Sequence, residues 1–247
     1  MLVVSAVSIT REATSMYQLH IANRQTSSWS LRAWWLMTVL DIPFEETLTP
    51  FCDDGSLGPD FLLIVPTGKV PCLVDGAVTV WESLAIVEYL AERHSGVWPT
   101  DAVARAWARC VSAEMHAGFQ ALRQLCPMHC ALRLRLKQPS ADLDRNLARI
   151  DEIFAQGLQQ FGGPFLCGSS PCAADAFYAP LVLRLQSYGL TLSATAERYV
   201  AHLLQNDALQ QWQRLAMAEP WREAALEADI MERCEILVDA REDNSAS

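Results

Sequence analysis

The sequence predicts a small α/β domain in its first 97 residues and an all-helical domain after it. Asp75-Gly76 separates two short apolar runs, which is the pattern of an antiparallel hairpin. From Asp101 onward, apolar residues recur mainly at helical spacing. The net charge also changes, from −6 over residues 1–97 to +2 over residues 98–215. Together these three observations place a domain boundary near residue 97.

The elements of the first domain follow in the order β-α-β-loop-β-β-α. Strands are predicted over residues 17–21, 44–48, 70–74 and 78–80, and helices over residues 31–40 and 84–90. Because the last two strands form an antiparallel pair, the domain is not a doubly wound dinucleotide-binding unit. Neither a G-x-G-x-x-G nor a G-x-x-x-x-G-K-[ST] phosphate loop occurs in the sequence.

The second domain is predicted to consist of helices, followed by an acidic appendage. The helices span residues 102–125, 140–161, 173–186, 194–204 and 208–217. Residues 216–247 carry a net charge of −6. The predicted organisation is a loose arm over residues 1–15, an α/β domain over 16–97, a helical domain over 98–222 and an acidic tail over 223–247, which we expect to be dispensable for catalysis.

Composition excludes several classes of function. The 247 residues carry a formal charge of −10, so nucleic acid and anionic membranes are not expected partners. No apolar run is long enough to span a bilayer. Eight cysteines are scattered through helical stretches, which favours a reducing cytoplasm. The cluster Cys126-Pro127-Met128-His129-Cys130 lacks a second ligand pair, so no metal site is predicted.

Hydroxyl groups at the start of the first helix are the first candidate for chemistry. Ser27 and Ser28 lie at the junction of strand and helix, where the positive end of the helix dipole favours an anion. A hydroxyl at this position lowers the pKa of a bound thiol by donating a hydrogen bond to the thiolate. The alternative is an ordinary helix cap.

Two further candidates come from the Val70-Pro71 and Glu82-Ser83 pairs. A cis Val70-Pro71 bond would turn the backbone of Val70 outward to pair with a peptide-like ligand, whereas a trans proline would mark a strand edge. At the start of the helix predicted over residues 84–90, Ser83 offers an N–H and a hydroxyl to a carboxylate, and Glu82 accepts from an ammonium group. A simple cap is the alternative there too.

These motifs, in this order, resemble those of the cytosolic glutathione S-transferases. The matching segments are SSWSLR at 27–32, PTGKVPCL at 66–73, WESLAIVEYL at 81–90 and FLCGSSPCAADAFYAP at 165–180. The serines are most similar to the serine-type classes, especially a bacterial S-S-W-S group related to zeta. The resemblance covers about residues 16–222. It implies a thioredoxin-like βαβαββα domain, an all-α bundle, glutathione as co-substrate, a homodimer and a role in detoxification.

The resemblance also assigns roles to individual residues. Ser27 is expected to activate the thiol of glutathione, with Ser28 as the close alternative. The glutathione-binding residues are expected to be Trp29, Lys69, Val70, Pro71, Glu82 and Ser83. Within this set, the Val70 backbone meets the cysteinyl unit, Lys69 the glycyl carboxylate, and Glu82 and Ser83 the γ-glutamyl end.

The second substrate is expected to be a small, largely apolar electrophile. Met115, Phe119 and Arg123 lie on the helix that lines its pocket in this family, with Arg123 available to an anionic group. Zeta-type isomerases have a cysteine where this chain has Trp29, which argues against a zeta-like isomerase. That isomerase and a non-catalytic interaction module are the alternatives to a transferase.

Overall fold

A four-stranded mixed sheet organises the N-terminal part of the chain. The computed structural model describes residues 16–241, so the arm predicted over residues 1–15 lies outside the described residues. The N-terminal elements are β1 (Tyr17–Ile21), α1 (Ser28–Val39), β2 (Phe44–Leu48), α2 (Pro59–Leu62), β3 (Cys72–Asp75), β4 (Val78–Trp81) and α3 (Ser83–Ala91).

The sheet has the strand order β2-β1-β3-β4. β1 pairs parallel with β2 and antiparallel with β3, and β3 pairs antiparallel with β4. This arrangement confirms the predicted hairpin and the thioredoxin-like fold class. α1 is buried along most of its length, with Trp35, Leu36 and Met37 fully inaccessible, because it packs against α3 of its own domain and against helices of the C-terminal region.

Helices make up most of the C-terminal region, as predicted. They are α4 (Ala102–Ala117), α5 (Gln120–Leu125), α6 (Ala141–Phe161), α7 (Ala173–Tyr188), α8 (Ala194–Leu204), α9 (Asp207–Met217) and α10 (Ala224–Arg233). None of the helices in the described part of the chain is long and apolar enough to cross a membrane.

The helix predicted over residues 102–125 is interrupted between α4 and α5. A side chain at Gly118 would place its Cβ 2.8 Å from the carbonyl oxygen of Glu114, so this close approach requires glycine. Phe119 follows with a φ of +61°, in the left-handed region that ends the first helix. The residues before and after this break therefore do not share one helical face.

A two-stranded antiparallel sheet, which was not predicted from the sequence, joins residues 234–239 to the helical region. Its strands are β5 (Leu132–Leu136) and β6 (Cys234–Asp239). Residues 224–241 are therefore not a separate acidic appendage. Glu235 pairs with Arg135 at 3.0 Å across the two strands, and Lys137 donates to the Met231 carbonyl at 2.8 Å. Part of the acidic charge thus faces basic residues of the helical region.

α7 begins at a capping arrangement in which Cys172 stands at the cap position. The Asp175 carboxylate accepts hydrogen bonds from the Cys172 N–H at 3.0 Å, the Leu166 N–H at 2.9 Å and the Tyr199 hydroxyl at 3.1 Å. Burial raises the pKa of Asp175 despite these bonds. The carboxylate therefore satisfies several buried donors at the start of the central helix.

Candidate functional site

Ser27 lies at the N-terminal cap position of α1, and its hydroxyl belongs to a short hydrogen-bond chain. The Ala22 N–H donates to the Ser30 hydroxyl oxygen at 3.3 Å, and the hydroxyls of Ser30 and Ser27 lie 2.7 Å apart. When Ser30 donates to Ser27, the proton of Ser27 is left free. Such a chain polarises its last hydroxyl and improves it as a donor to an anion.

Ser28, the first residue of α1, has a different partner. The Arg184 guanidinium on α7 donates from Nη2 to the Ser28 hydroxyl oxygen at 3.2 Å. Arg184 also donates from Nε to the Cys126 carbonyl at 2.8 Å. The Ser28 hydroxyl thus accepts from a buried cation, and its own proton remains available to another group.

The loop before α1 is fixed by the C-terminal region. The Arg24 N–H donates to the Glu219 carboxylate at 2.8 Å, and the Arg24 guanidinium pairs with it at 2.9 Å. The Gln25 amide donates to the Ala216 carbonyl at 2.9 Å, and the Trp212 indole donates to the Arg24 carbonyl at 3.0 Å. The position of the serines therefore depends on contacts across the domain boundary.

A cavity of about 330 Å³ opens beside the two serines. It joins the start of α1 to the loop before β3, the segment after α5, α7 and the beginning of α10. Its walls are formed by Thr26, Ser27, Ser28, Trp29, Phe51, Gly55, Leu57, Gly68, Lys69, Val70, Pro127, Met128, Arg184, Glu223 and Leu226. The cavity thus brings together five of the predicted site residues, namely Ser27, Ser28, Trp29, Lys69 and Val70.

The segment Lys69-Val70-Pro71 forms one side of this cavity. Lys69 and Val70 line it directly. The Val70-Pro71 peptide bond is cis, so of the two conformations that the sequence allowed, the structure has the cis form.

Glu82 and Ser83 lie at the start of α3, outside the residues that line the cavity. Ser83 is fully buried, and its hydroxyl accepts from the Arg32 guanidinium at 3.4 Å. Glu82 has a φ of +70° and a ψ of +127°, a conformation that residues other than glycine rarely adopt. Burial and the neighbouring Arg123 and Arg184 lower the pKa of Arg32, while Glu82 partly offsets this effect.

Two arginine guanidinium groups lie close to the ring of Trp29, which lines the cavity. The guanidinium carbon of Arg32 is 4.1 Å from the centre of its ring, and that of Arg123 is 4.9 Å away. The His116 ring meets Trp29 edge-on at 5.3 Å. These contacts fix the indole through cation–π and aromatic interactions.

The three residues predicted to form the second-substrate pocket do not line the cavity. Met115 and Phe119 are buried in the core, with exposed fractions of 2% and 7%. Arg123 donates to the carbonyl oxygens of Gly118, at 2.9 Å, and of Met115. The break between α4 and α5 directs these side chains into the core and toward the end of α4, and their role in binding the second substrate stays a prediction.

Other residues, which were not predicted from the sequence, form the apolar side of the cavity. Pro127 and Met128, after α5, and Leu226 on α10 provide an apolar wall of the cavity. Glu223, just before α10, adds a carboxylate that accepts a hydrogen bond from the Thr26 hydroxyl. No local pattern marks these residues, because they meet only when the helical region folds over the N-terminal domain.

The cysteines and histidine near this wall are buried. Burial raises the pKa of Cys126 and of Cys130 to about 12 and lowers that of His129. His129 faces Glu227 at 3.7 Å. Over residues 16–241, no group of histidine, cysteine and acidic side chains is arranged to hold a metal ion.

A larger cavity, of about 530 Å³, lies elsewhere, beside the segment that links the two domains. Trp98, Asp101, Cys167 and Cys172 are among its lining residues. None of the predicted site residues borders it, so the smaller cavity is the candidate active site.

The comparisons with known proteins show similarity to glutathione S-transferases. Residues 26–93 match the model "Glutathione S-transferase, N-terminal domain". This segment of the chain is therefore similar to the N-terminal domain of glutathione S-transferases. A probable maleylacetoacetate isomerase of Caenorhabditis elegans is 31% identical over 139 residues, which are 53% of this chain and 62% of that protein.

Two further relatives extend the comparison. A dichloromethane dehalogenase of Methylorubrum extorquens is 44% identical over 61 residues, which are 24% of this chain and 21% of the dehalogenase. This chain thus matches less than two thirds of the length of either relative. A crystal structure of a Burkholderia glutathione transferase homologue with bound glutathione shares the fold, with a TM-score of 0.62 and 22% identity over 83% of this chain and all of the homologue.

Proposed function

We propose that this protein is a glutathione S-transferase that activates the thiol of glutathione at the start of α1. The observation that carries the proposal is the cavity beside Ser27, which joins Ser28, Lys69 and Val70 to an apolar wall. One cavity thus offers a helix N-terminus and a lysine to a peptide-like anion, and apolar surface to a second reactant. Holding two reactants together supplies much of the rate enhancement in such a reaction.

Glutathione is proposed to lie with its cysteinyl unit against the Val70 backbone. The glycyl carboxylate would then meet Lys69, which lines the same cavity. The γ-glutamyl end would extend toward Glu82 and Ser83 at the start of α3. We place the bound peptide beside the Trp29 ring, which contacts the guanidinium groups of Arg32 and Arg123.

In this proposal Ser27 donates a hydrogen bond to the sulfur. The chain from the Ala22 N–H through Ser30 supports this role, because it leaves the Ser27 proton free. Once the thiol proton has passed to solvent water, the sulfur electron pair forms a bond to the electrophilic carbon. In a substitution, the leaving group departs with its bonding electron pair. In an addition to a double bond, the π electron pair moves away from the attacked carbon and takes up a proton from water.

The second substrate is proposed to be a small, largely apolar electrophile that packs on Pro127, Met128 and Leu226. The Met128 side chain is long and flexible, so the wall can adapt to more than one shape. The similarity to a probable maleylacetoacetate isomerase supports glutathione-dependent isomerisation as a second candidate. Trp29, at the position of the zeta-class cysteine, argues against it.

One set of assays tests the proposal. We expect the protein to bind glutathione in calorimetry and to conjugate it with members of a panel of aryl halides, epoxides and activated alkenes. A cis-dicarbonyl alkene in the same panel tests the isomerase. Absence of glutathione binding would contradict both candidates, and isomerisation without conjugation would favour the second. Sedimentation tests the proposed homodimer.

A further inference from the structure

We propose that Arg184 supplies the positive charge that stabilises the thiolate of glutathione in this cavity. The inference rests on the proposed function and adds one more group to the same site. Arg184 lies on α7, far along the chain from the serines, and no motif of the sequence analysis includes it.

The geometry directs Arg184 at the start of α1. Its Nη2 donates to the Ser28 hydroxyl at 3.2 Å and its Nε to the Cys126 carbonyl at 2.8 Å. Within residues 16–241, its Nη1 makes no hydrogen bond. The side chain lines the cavity although only 6% of the residue is exposed. An unused donor of a buried guanidinium is therefore available beside the serines.

The charge of Arg184 has no acidic partner in the described part of the chain. Among residues 16–241, no carboxylate lies within ion-pair distance of the Arg184 guanidinium. The cavity also contains Lys69 and Glu223, and Glu223 accepts from Thr26. A buried cation without a counter-ion is costly, so an anionic ligand gains from binding here.

The charge of Arg184 is affected by Arg123, Tyr188 and Cys126, each of which is basic or neutral at pH 7. Burial and the neighbouring Arg123 lower the pKa of Arg184 to about 10, so it remains charged. The pKa of Arg32 is in turn lowered by burial and by nearby cations that include Arg184. Burial raises the pKa of Tyr188 and that of Cys126, so both remain protonated.

The positive charge of Arg184 should lower the pKa of the bound thiol. An opposite charge at about 4–6 Å lowers the pKa of an acid by about 1–3 units. The thiol proton passes to solvent water, and the electron pair stays on the sulfur for attack on the electrophile. Arg184 provides charge and does not itself exchange a proton. Ser28 acts as a positioning residue that holds the guanidinium toward the cavity.

The test is a pH titration of bound glutathione in the absence of a second substrate. The ultraviolet absorbance of the thiolate monitors this titration. Arg184→Gln should raise the pKa of the bound thiol by about 1 unit or more. It should lower kcat/KM at neutral pH by about tenfold or more, with recovery at high pH. Affinity for S-methylglutathione, which forms no thiolate, should stay within about twofold.

Arg133→Gln is the matched control, because Arg133 also donates to backbone carbonyls but lies outside this cavity. It should leave the pKa of the thiol unchanged. If Arg184→Gln does not fold, Arg184→Met, which keeps an apolar stem, takes its place with the same expected shift. No acid is left unpaired by either change.

Two outcomes separate this inference from the proposed function. Wild-type protein that binds neither glutathione nor S-methylglutathione contradicts the proposed function itself. Wild-type protein that binds both, with a thiol pKa unaltered by Arg184→Gln or Arg184→Met, overturns only the role of Arg184. An equal rise in Arg133→Gln would also overturn it.

Discussion

The Thr26 hydroxyl donates a hydrogen bond to the Glu223 carboxylate, which ties the loop before α1 to the residue that precedes α10. Glu219 makes a second link by accepting from the Arg24 N–H at 2.8 Å. Leu226, about one helical turn after Glu223, lines the cavity. The C-terminal segment therefore covers the candidate active site, and we no longer expect residues 223–247 to be dispensable.

Glu223→Gln should strengthen the binding of glutathione, whose sulfur is proposed to be bound as a thiolate. The substitution keeps an acceptor for Thr26 but removes a negative charge from a cavity that is proposed to bind an anion. We expect about a threefold to tenfold gain in affinity at neutral pH by calorimetry. Burial raises the pKa of Glu223, so the wild-type carboxyl becomes neutral on acidification and the gain should shrink. A gain independent of pH would contradict this explanation.

Leu226→Ala should weaken the binding of the second substrate but not that of glutathione. Loss of apolar surface from the wall costs about 1 kcal/mol, which is about a fivefold rise in KM for an apolar electrophile. The KM for glutathione should not change. Leu237→Ala, on exposed β6, is the control. Equal effects of both variants would show that the second substrate binds elsewhere.

Glu227→Gln should reduce stability at neutral pH and much less in acid. Burial opposes ionisation of Glu227, but the nearby His129 ring and hydrogen bonds from Arg222 and Arg241 hold its pKa well below the usual range. A depressed pKa stabilises the folded state above about pH 4.5, and this contribution is lost as the pH falls below that value. We expect the free energy of unfolding to fall by about 1–3 kcal/mol at pH 7.

Denaturant unfolding at pH 7 and at pH 3 measures this difference. Glu235→Gln is the control, because its pair with Arg135 is exposed and should contribute less than about 1 kcal/mol. A loss in Glu227→Gln that is the same at both pH values would contradict the assignment.

Ser27→Ala and Ser28→Ala distinguish the two hydroxyls. Ser27→Ala removes the end of the chain from Ala22 through Ser30, and we expect the pKa of bound glutathione to rise by about 1 unit. Ser28→Ala removes a partner of Arg184 but keeps its charge, so the rise should be smaller. A larger rise in Ser28→Ala would move the direct donor to Ser28.

The N-terminal half of the site was predictable from the sequence because its signals are local. Serines before a helix, a Val-Pro pair before a strand and a hairpin turn each occupy a few adjacent residues. The structure brings Ser27, Ser28, Lys69 and Val70 to one cavity. Glu82 and Ser83 lie outside its walls, and their roles stay predictions.

The C-terminal half depends on contacts between distant segments. Arg184 and Leu226 reach the site only through the packing of α7 and α10, and no local pattern distinguishes them from core residues. β5 did leave a signal, since Leu132, Leu134 and Leu136 alternate with basic residues at strand period. Its partner β6 lies in the segment predicted to be an acidic tail, because net charge alone does not show which residues pair with it.

A crystal structure of the protein with bound glutathione would show directly which groups contact the thiol. The account predicts glutathione in the cavity, with its sulfur beside the Ser27 hydroxyl and the Arg184 guanidinium and its cysteinyl backbone paired with Val70. Glutathione bound at another place, or with its sulfur turned away from both groups, would contradict the account.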